Sequence, residues 1–171
     1  MDENLQQSFL RFCKTNQFEI NPKQVEIINL LEKFISNKKK LINIFQKDRR
    51  LCFYLHGGVG VGKTMLLNFF YNNIKIKKNR MHFNEFMINF HNYRHKEKDD
   101  NSIINYVKIL KKNYELIYLD EFQVTNIVDA MILGKLFEVI FEENIKIIIT
   151  TNIKLNELYK DGLQREQFLP F

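Results

Sequence analysis

Residues 51–64 read LCFYLHGGVGVGKT, and MLLNFFY follows at 65–71. The apolar run Leu51 to Leu55 reads as a strand, and the sequence from Met65 is compatible with a helix. Between them, Gly57-Gly58-Val59-Gly60-Val61-Gly62-Lys63-Thr64 fits G-x-x-x-x-G-K-[ST]. Closely spaced glycines let a backbone wrap a phosphate with its N–H groups inward, and the N-terminus of the next helix adds a favourable dipole. In that arrangement the Lys63 ammonium reaches the β and γ phosphates, and the Thr64 hydroxyl takes one position on Mg²⁺. The plain alternative is a glycine turn joining a strand to a helix. Four of the chain's 6 glycines, however, lie between Gly57 and Gly62, with Lys-Thr directly behind. At average residue usage such a match arises by chance in a chain this long less than about one time in a hundred. Nucleotide phosphate binding is therefore the reading.

The flanking sequence places this unit in an α/β fold. Leu5, Phe9 and Phe12 share a helical face, so a helix is expected from about Glu3 to Thr15. Asn21-Pro22 marks a second start, with Asn as cap, Pro in the first turn, and Val25, Ile28, Leu31 and Ile35 on one side. Lys38-Lys39-Lys40 ends it, and Leu41, Ile42, Ile44 and Phe45 read as packing residues. Beyond the loop helix, Lys75 to Arg80 reads as a solvent-side connection into a short strand, Met81-His82-Phe83. A helix through Phe86 and Phe90 comes next, running into a charged surface loop at His95 to Asp100. Asn101 or Ser102 caps another helix, whose apolar residues are Ile103, Ile104, Val107, Ile109 and Leu110.

Leu116 to Leu119 is a continuous apolar run of the kind found in buried parallel strands, ending in Asp120-Glu121. Asn126 caps a helix from Ile127 to about Phe141; Ile145 to Thr150 is the next strand, and Leu155 to Tyr159 a last helical piece. Strands alternating with helices predict a three-layer αβα sandwich with a mainly parallel sheet. The expected organisation is a helical segment at 1–49 and a phosphate-loop core at 50–171.

Composition bounds the rest. At 171 residues with 45% hydrophobic content the chain buries a core without a disulfide scaffold, and 2 cysteines, Cys13 and Cys52, read as reduced thiols. The polar start and the absence of an apolar run near the roughly 18 residues of a membrane span lead to the expectation of a cytoplasmic protein with no membrane span. A net charge of +6 attracts anions, but the lysines are scattered, so a nucleic-acid partner is not expected. His91 and His95, four apart on one helix, lack a third ligand and read as exposed surface rather than metal ligands. Phe86/Phe90 and Phe137/Phe141 keep helical spacing and read as core rather than a base-stacking platform.

In this class of fold, ligands bind beyond the carboxyl ends of the strands. Three strands deliver suitable groups there: the glycine loop, Asp120-Glu121 and Asn152. Asp120 is placed to support Mg²⁺, usually through water, and Glu121 to activate a water for attack on the γ-phosphate. Asn152 reads equally well as an amide that positions the water or senses the γ-phosphate and as a turn residue capping the next segment. The acidic pair favours hydrolysis over transfer to a small molecule. A GTPase base-reading N-K-x-D after a later strand is absent, since Asn37-Lys38-Lys39-Lys40 lacks the Asp and precedes the loop.

Five strings then occur in order: YLHGGVGVGKTMLL at 54–67, HFNEFM at 82–87, LDEFQVTNIVDAMILGKLF at 119–137, TTN at 150–152 and LYKDGLQREQFLPF at 158–171. Over about residues 22–171 they resemble the ZapE-type cell-division AAA+ ATPase family and its mitochondrial relatives. The resemblance implies an AAA+ P-loop fold, ATP hydrolysis with Mg²⁺, an oligomer, and action on protein partners such as division-ring components. Matched residue by residue, Gly57, Gly58, Val59, Gly60, Val61, Gly62, Lys63 and Thr64 correspond to the phosphate loop. Asp120 and Glu121 correspond to the metal-supporting and catalytic acids, and Asn152 to the γ-phosphate sensor. Arg165 lies where such proteins place an arginine finger; Gln167 stands where relatives often carry a second arginine.

The family continues past the FLP string into a last strand and a helical lid, whereas this chain stops at Phe171. The expectation is an N-terminal part whose strand at 51–55 lies on the sheet edge, either a gene fragment or a chain completed by a second polypeptide. Two other function classes stand beside the ATPase: a catalytically inactive nucleotide-binding module, and an AAA+ helicase loader acting on DNA.

Overall fold

The computed structural model describes residues 4–36, 51–97 and 99–158. They group into two compact units. One contains the described residues up to 36 together with Gly60–Lys75; the other contains Leu51–Val59 and the described residues from Ile76 onward.

The first unit is helical. Helix α1, Leu5–Thr15, starts where the Asn4 side chain accepts from the Gln6 N–H, and buries Phe9 and Cys13. Helix α2, Pro22–Ser36, opens as the sequence requires: the Asn21 side chain accepts from the Lys23 N–H at 2.9 Å and Pro22 fills the first turn, where a missing N–H costs nothing. Helix α3, Lys63–Asn73, buries Leu66, Leu67, Phe69 and Phe70. The Phe69 ring lies 5.1 Å from those of both Phe9 and Phe12, so an aromatic cluster joins α1 to α3.

The second unit is a parallel sheet in the order β1-β4-β3-β2, with β1 Cys52–His56, β2 Lys78–His82, β3 Leu116–Asp120 and β4 Lys146–Thr151. Helices α4 (Phe83–Glu97), α5 (Ser102–Asn113) and α6 (Ile127–Glu142) share one core with alternate strand residues Ile117, Leu119, Ile147 and Ile149. The intervening Leu116, Tyr118 and Ile148 are buried too, which is why β3 and β4 read as unbroken apolar runs rather than alternating ones. Within the four-strand sheet formed by the described residues, β1 stands at one end, next to β4.

Several expectations change. Lys78 to Arg80 belong to β2 instead of a solvent-side connection, because an edge strand accommodates charged residues. Phe83, expected in that strand, opens α4 and is buried against the Phe122 ring at 4.5 Å. Helix α4 extends through His95 to Glu97, where a loop was expected. In α5 the buried set is Tyr106, Val107 and Leu110, while Ile104 and Ile109 point outward. After β4 the described chain holds a short 3-10 turn, Leu155–Glu157, in place of a helix; Tyr159 lies outside the described residues. So do the lysine run at 38–40 and the packing residues at 41–45.

Candidate functional site

The glycine loop joins β1 to α3 along the chain. Its first amide, the Gly57 N–H, donates to the Thr151 carbonyl at 3.2 Å, holding the loop's start against the end of β4. Gly60 and Gly62 adopt φ of +81° and +83°, a left-handed backbone that side chains resist. At Gly62 a Cβ would also meet the Gln24 Nε2 at 2.6 Å, the atom that donates to the Val61 carbonyl. Lys63 and Thr64 are the first two residues of α3, the end of the helix at which the dipole favours an anion. Strand, left-handed glycines and helix start thus succeed one another as a phosphate cradle requires.

The other candidates gather at the carboxyl end of the sheet. The register pairs His56 with Thr151 and His82 with Asp120, so the loop's start at Gly57, the Asp120-Glu121 pair and Asn152 leave the sheet on the same side. Asp120, 13% exposed, is held on both oxygens. Its Oδ1 accepts from the Thr150 hydroxyl at 2.5 Å and from the Glu121 N–H at 3.2 Å; its Oδ2 accepts from an Arg80 guanidinium nitrogen at 2.6 Å. Burial pushes the Asp120 carboxyl up, but the Thr150 and Arg80 bonds, the Arg80 charge and the Glu121 amide together outweigh it and leave the carboxyl below its ordinary value. The carboxylate is thus fixed and ionised.

Glu121 differs from its neighbour. Its φ of +54° turns the chain sharply out of β3 and leaves the side chain 81% exposed, with one carboxylate oxygen 3.5 Å from the His82 Nδ1. After the turn, the Phe122 N–H donates to the Thr150 carbonyl at 2.8 Å and the Thr151 hydroxyl donates to the Phe122 carbonyl at 2.7 Å. These bonds tie the loop after β3 to β4, so the strained residue is held from both sides. Asn152 is exposed just after β4, and Arg165 lies outside the described residues.

The sequence did not point to Arg80, Tyr118 or Thr150 as neighbours of Asp120, since strand pairing and the pleat of the sheet, not position along the chain, bring them to it. His91 is also more than surface: its Nε2 lies 2.7 Å from Asp129 Oδ1, linking α4 to the start of α6. Asn126 caps α6 as expected, accepting from the Asp129 N–H at 2.8 Å. Among the described residues no group of three or more His, Cys, Asp or Glu could hold a metal ion, and no helix is long and apolar enough to cross a membrane.

Hard-cation chemistry fits the residues present. The Asp120 carboxylate, ionised and held in place by Arg80, Thr150 and the Glu121 amide, has the oxygen chemistry that a hydrated Mg²⁺ accepts. Thr64, exposed, carries a hydroxyl, an oxygen donor of the type Mg²⁺ prefers.

A family model described as AFG1-like ATPase matches residues 13–171. The Lactation elevated protein 1 homolog B of Danio rerio is 42% identical over 132 residues, covering 70% of this chain and 26% of that protein. The cell division protein ZapE of Escherichia coli (strain K12) is 38% identical over 119 residues, covering 68% of this chain and 32% of ZapE. The matched part thus spans about a third or less of these curated relatives. Among solved structures, AMPPCP-bound DnaA from Aquifex aeolicus superposes with a TM-score of 0.56 at 17% identity, covering 91% of this chain and 46% of that one. The crystal structure of DnaI gives 0.53 at 18% identity, covering 90% and 84%. At such identities these likenesses speak for the fold alone, an α/β P-loop domain.

Proposed function

Because the chain belongs to the AFG1-like ATPase family, we propose that it binds ATP on the loop Gly57–Thr64 and hydrolyses it with Mg²⁺. The observation that carries the reading is a division of labour between adjacent acids at the end of β3: Asp120 is half-buried, anchored and ionised, while Glu121 is turned outward on a left-handed backbone. A metal-supporting carboxylate needs fixity, and a general base needs access to water.

The loop amides and the start of α3 would bind the phosphate oxygens, and the Lys63 ammonium would bridge the β and γ phosphates. Thr64 and Asp120 are the residues that would hold Mg²⁺, Thr64 directly and Asp120 through water. When bound, the ion neutralises charge that develops on the phosphates. Glu121 accepts a proton from the attacking water, and the Asn152 amide orients that water or the γ-phosphate. Arg165 is proposed as the finger that reaches the ATP of a neighbouring subunit in an oligomer. Action on protein partners is inferred by analogy with ZapE, whose name describes a cell division protein.

Phosphate release from ATP by purified protein tests this. Turnover should require Mg²⁺, and Glu121→Gln should lower it by at least about a hundredfold, the lower range for loss of a general base, while nucleotide binding persists. Undiminished turnover in that variant would remove Glu121 from the role of base. Binding without any turnover, at concentrations high enough for oligomers to form, would instead favour the catalytically inactive module.

A further inference from the structure

The grip on Asp120 has a partner beyond the two acids. Arg80 pairs with Tyr118 across β2 and β3. Residues two apart on a strand share a face, so Arg80, Tyr118, Asp120 and Thr150 form one patch across three strands. The guanidinium carbon sits 4.8 Å from the Tyr118 ring centre, and the Tyr118 hydroxyl lies 3.5 Å from the Thr150 oxygen. Arg80 is 31% exposed and Asp120 13%, so the ion pair is largely shielded from water. The ring beneath the guanidinium restricts where its nitrogens point.

Resting on the Mg²⁺–ATP reading above, we propose that Arg80 is a positioning residue: by occupying Oδ2 it keeps Asp120 from bonding a cation directly, so Asp120 meets a metal-bound water rather than the metal itself. With Oδ1 bonded to Thr150 and to the Glu121 amide, a bidentate bond from Asp120 to a cation would break at least one of the three contacts. A direct bond at Oδ2 would also bring the cation next to the guanidinium charge. A metal-bound water meets neither obstacle. Mg²⁺ gives up its waters reluctantly, whereas Ca²⁺ readily takes carboxylates directly and in variable number. Arg80 therefore favours the smaller, hydrated ion.

The test is equilibrium binding of a fluorescent ATP analogue, followed by anisotropy, in EDTA, in Mg²⁺ and in Ca²⁺. For wild type, Mg²⁺ tightens binding. Arg80→Met keeps the side-chain stem over Tyr118 but frees Oδ2; it should shrink the Mg²⁺ enhancement about tenfold, at the lower end of what loss of an outer-shell partner does to metal affinity. Affinity in EDTA should stay unchanged, and the preference should move toward Ca²⁺. Arg80→Lys, which keeps a cation beside Oδ2, should recover part of the enhancement, a result that a purely structural role does not produce. Arg80→Gln serves as the second variant if Arg80→Met fails to fold by circular dichroism, with the same loss expected. An unchanged Mg²⁺ enhancement in the folded Met or Gln variant overturns the role of Arg80 and leaves the ATP reading intact. Wild type without Mg²⁺-dependent binding overturns both.

Discussion

The neighbours of Asp120 favour its charged form over the proton, and this makes the fold's stability sensitive to acid. The Asp120 carboxyl lies below the ordinary 3.8, so the folded chain takes up that proton less readily than the unfolded chain. The resulting stability is present in full above about pH 4 and is lost as pH falls through the folded value. Thermal melts of the metal-free protein from about pH 6 to about pH 3 should show Asp120→Asn and wild type converging toward acid; a gap that stays constant would mean Arg80 and Thr150 do not hold the carboxylate. Gly62 makes a second case. Alanine there meets a φ of +83° and the Gln24 amide, so Gly62→Ala should cost about 1–2 kcal/mol in urea unfolding and weaken nucleotide binding. At this scale the sequence was readable where chemistry is local, as in the glycine spacing or Asp120-Glu121. It was silent on Arg80, whose bond to Asp120 spans 40 positions and exists only because β2 pairs with β3.

Elements were legible where a cap and an apolar face agreed. Asn21 and Asn126 both accept the backbone bonds their positions called for. The β2–α4 boundary was misplaced because Met81-His82-Phe83 alternates like a strand, while the burial of Phe83 depends on Phe122, which arrives much later in the chain. The charged end of α4 was likewise taken for loop, although Arg94, His95 and Lys96 suit the last turn of a helix, where cations meet the negative end of its dipole. Phe90, fully buried with its ring 5.3 Å from Tyr106, should be a main tie between α4 and α5. Phe90→Ala is expected to cost about 3–5 kcal/mol in equilibrium unfolding, whereas Ile88→Ala, 58% exposed on the same helix, should stay within about 0.5 kcal/mol. Equal effects would contradict the assignment of the buried face.

For the whole molecule, the alternation of strands and helices and the parallel sheet were legible, since continuous apolar runs ending in phosphate-loop or acidic residues allow few other arrangements. Among the described residues the strands run β1-β4-β3-β2, and no pattern within the strands themselves indicates which of them lie side by side. The net charge of +6 selected no partner. In the proposed function ATP phosphates sit on residues 57–64 and the end of β3 responds to them. Amide hydrogen exchange, compared with and without Mg²⁺–ATP, reads both places at once. Slowed exchange is expected in peptides covering Gly57 to Leu66 and Asp120 to Phe122, with the protection at Gly57 to Leu66 lost in Lys63→Ala. Nucleotide binding that leaves Gly57 to Leu66 unprotected, or that persists unchanged in Lys63→Ala, would contradict that placement.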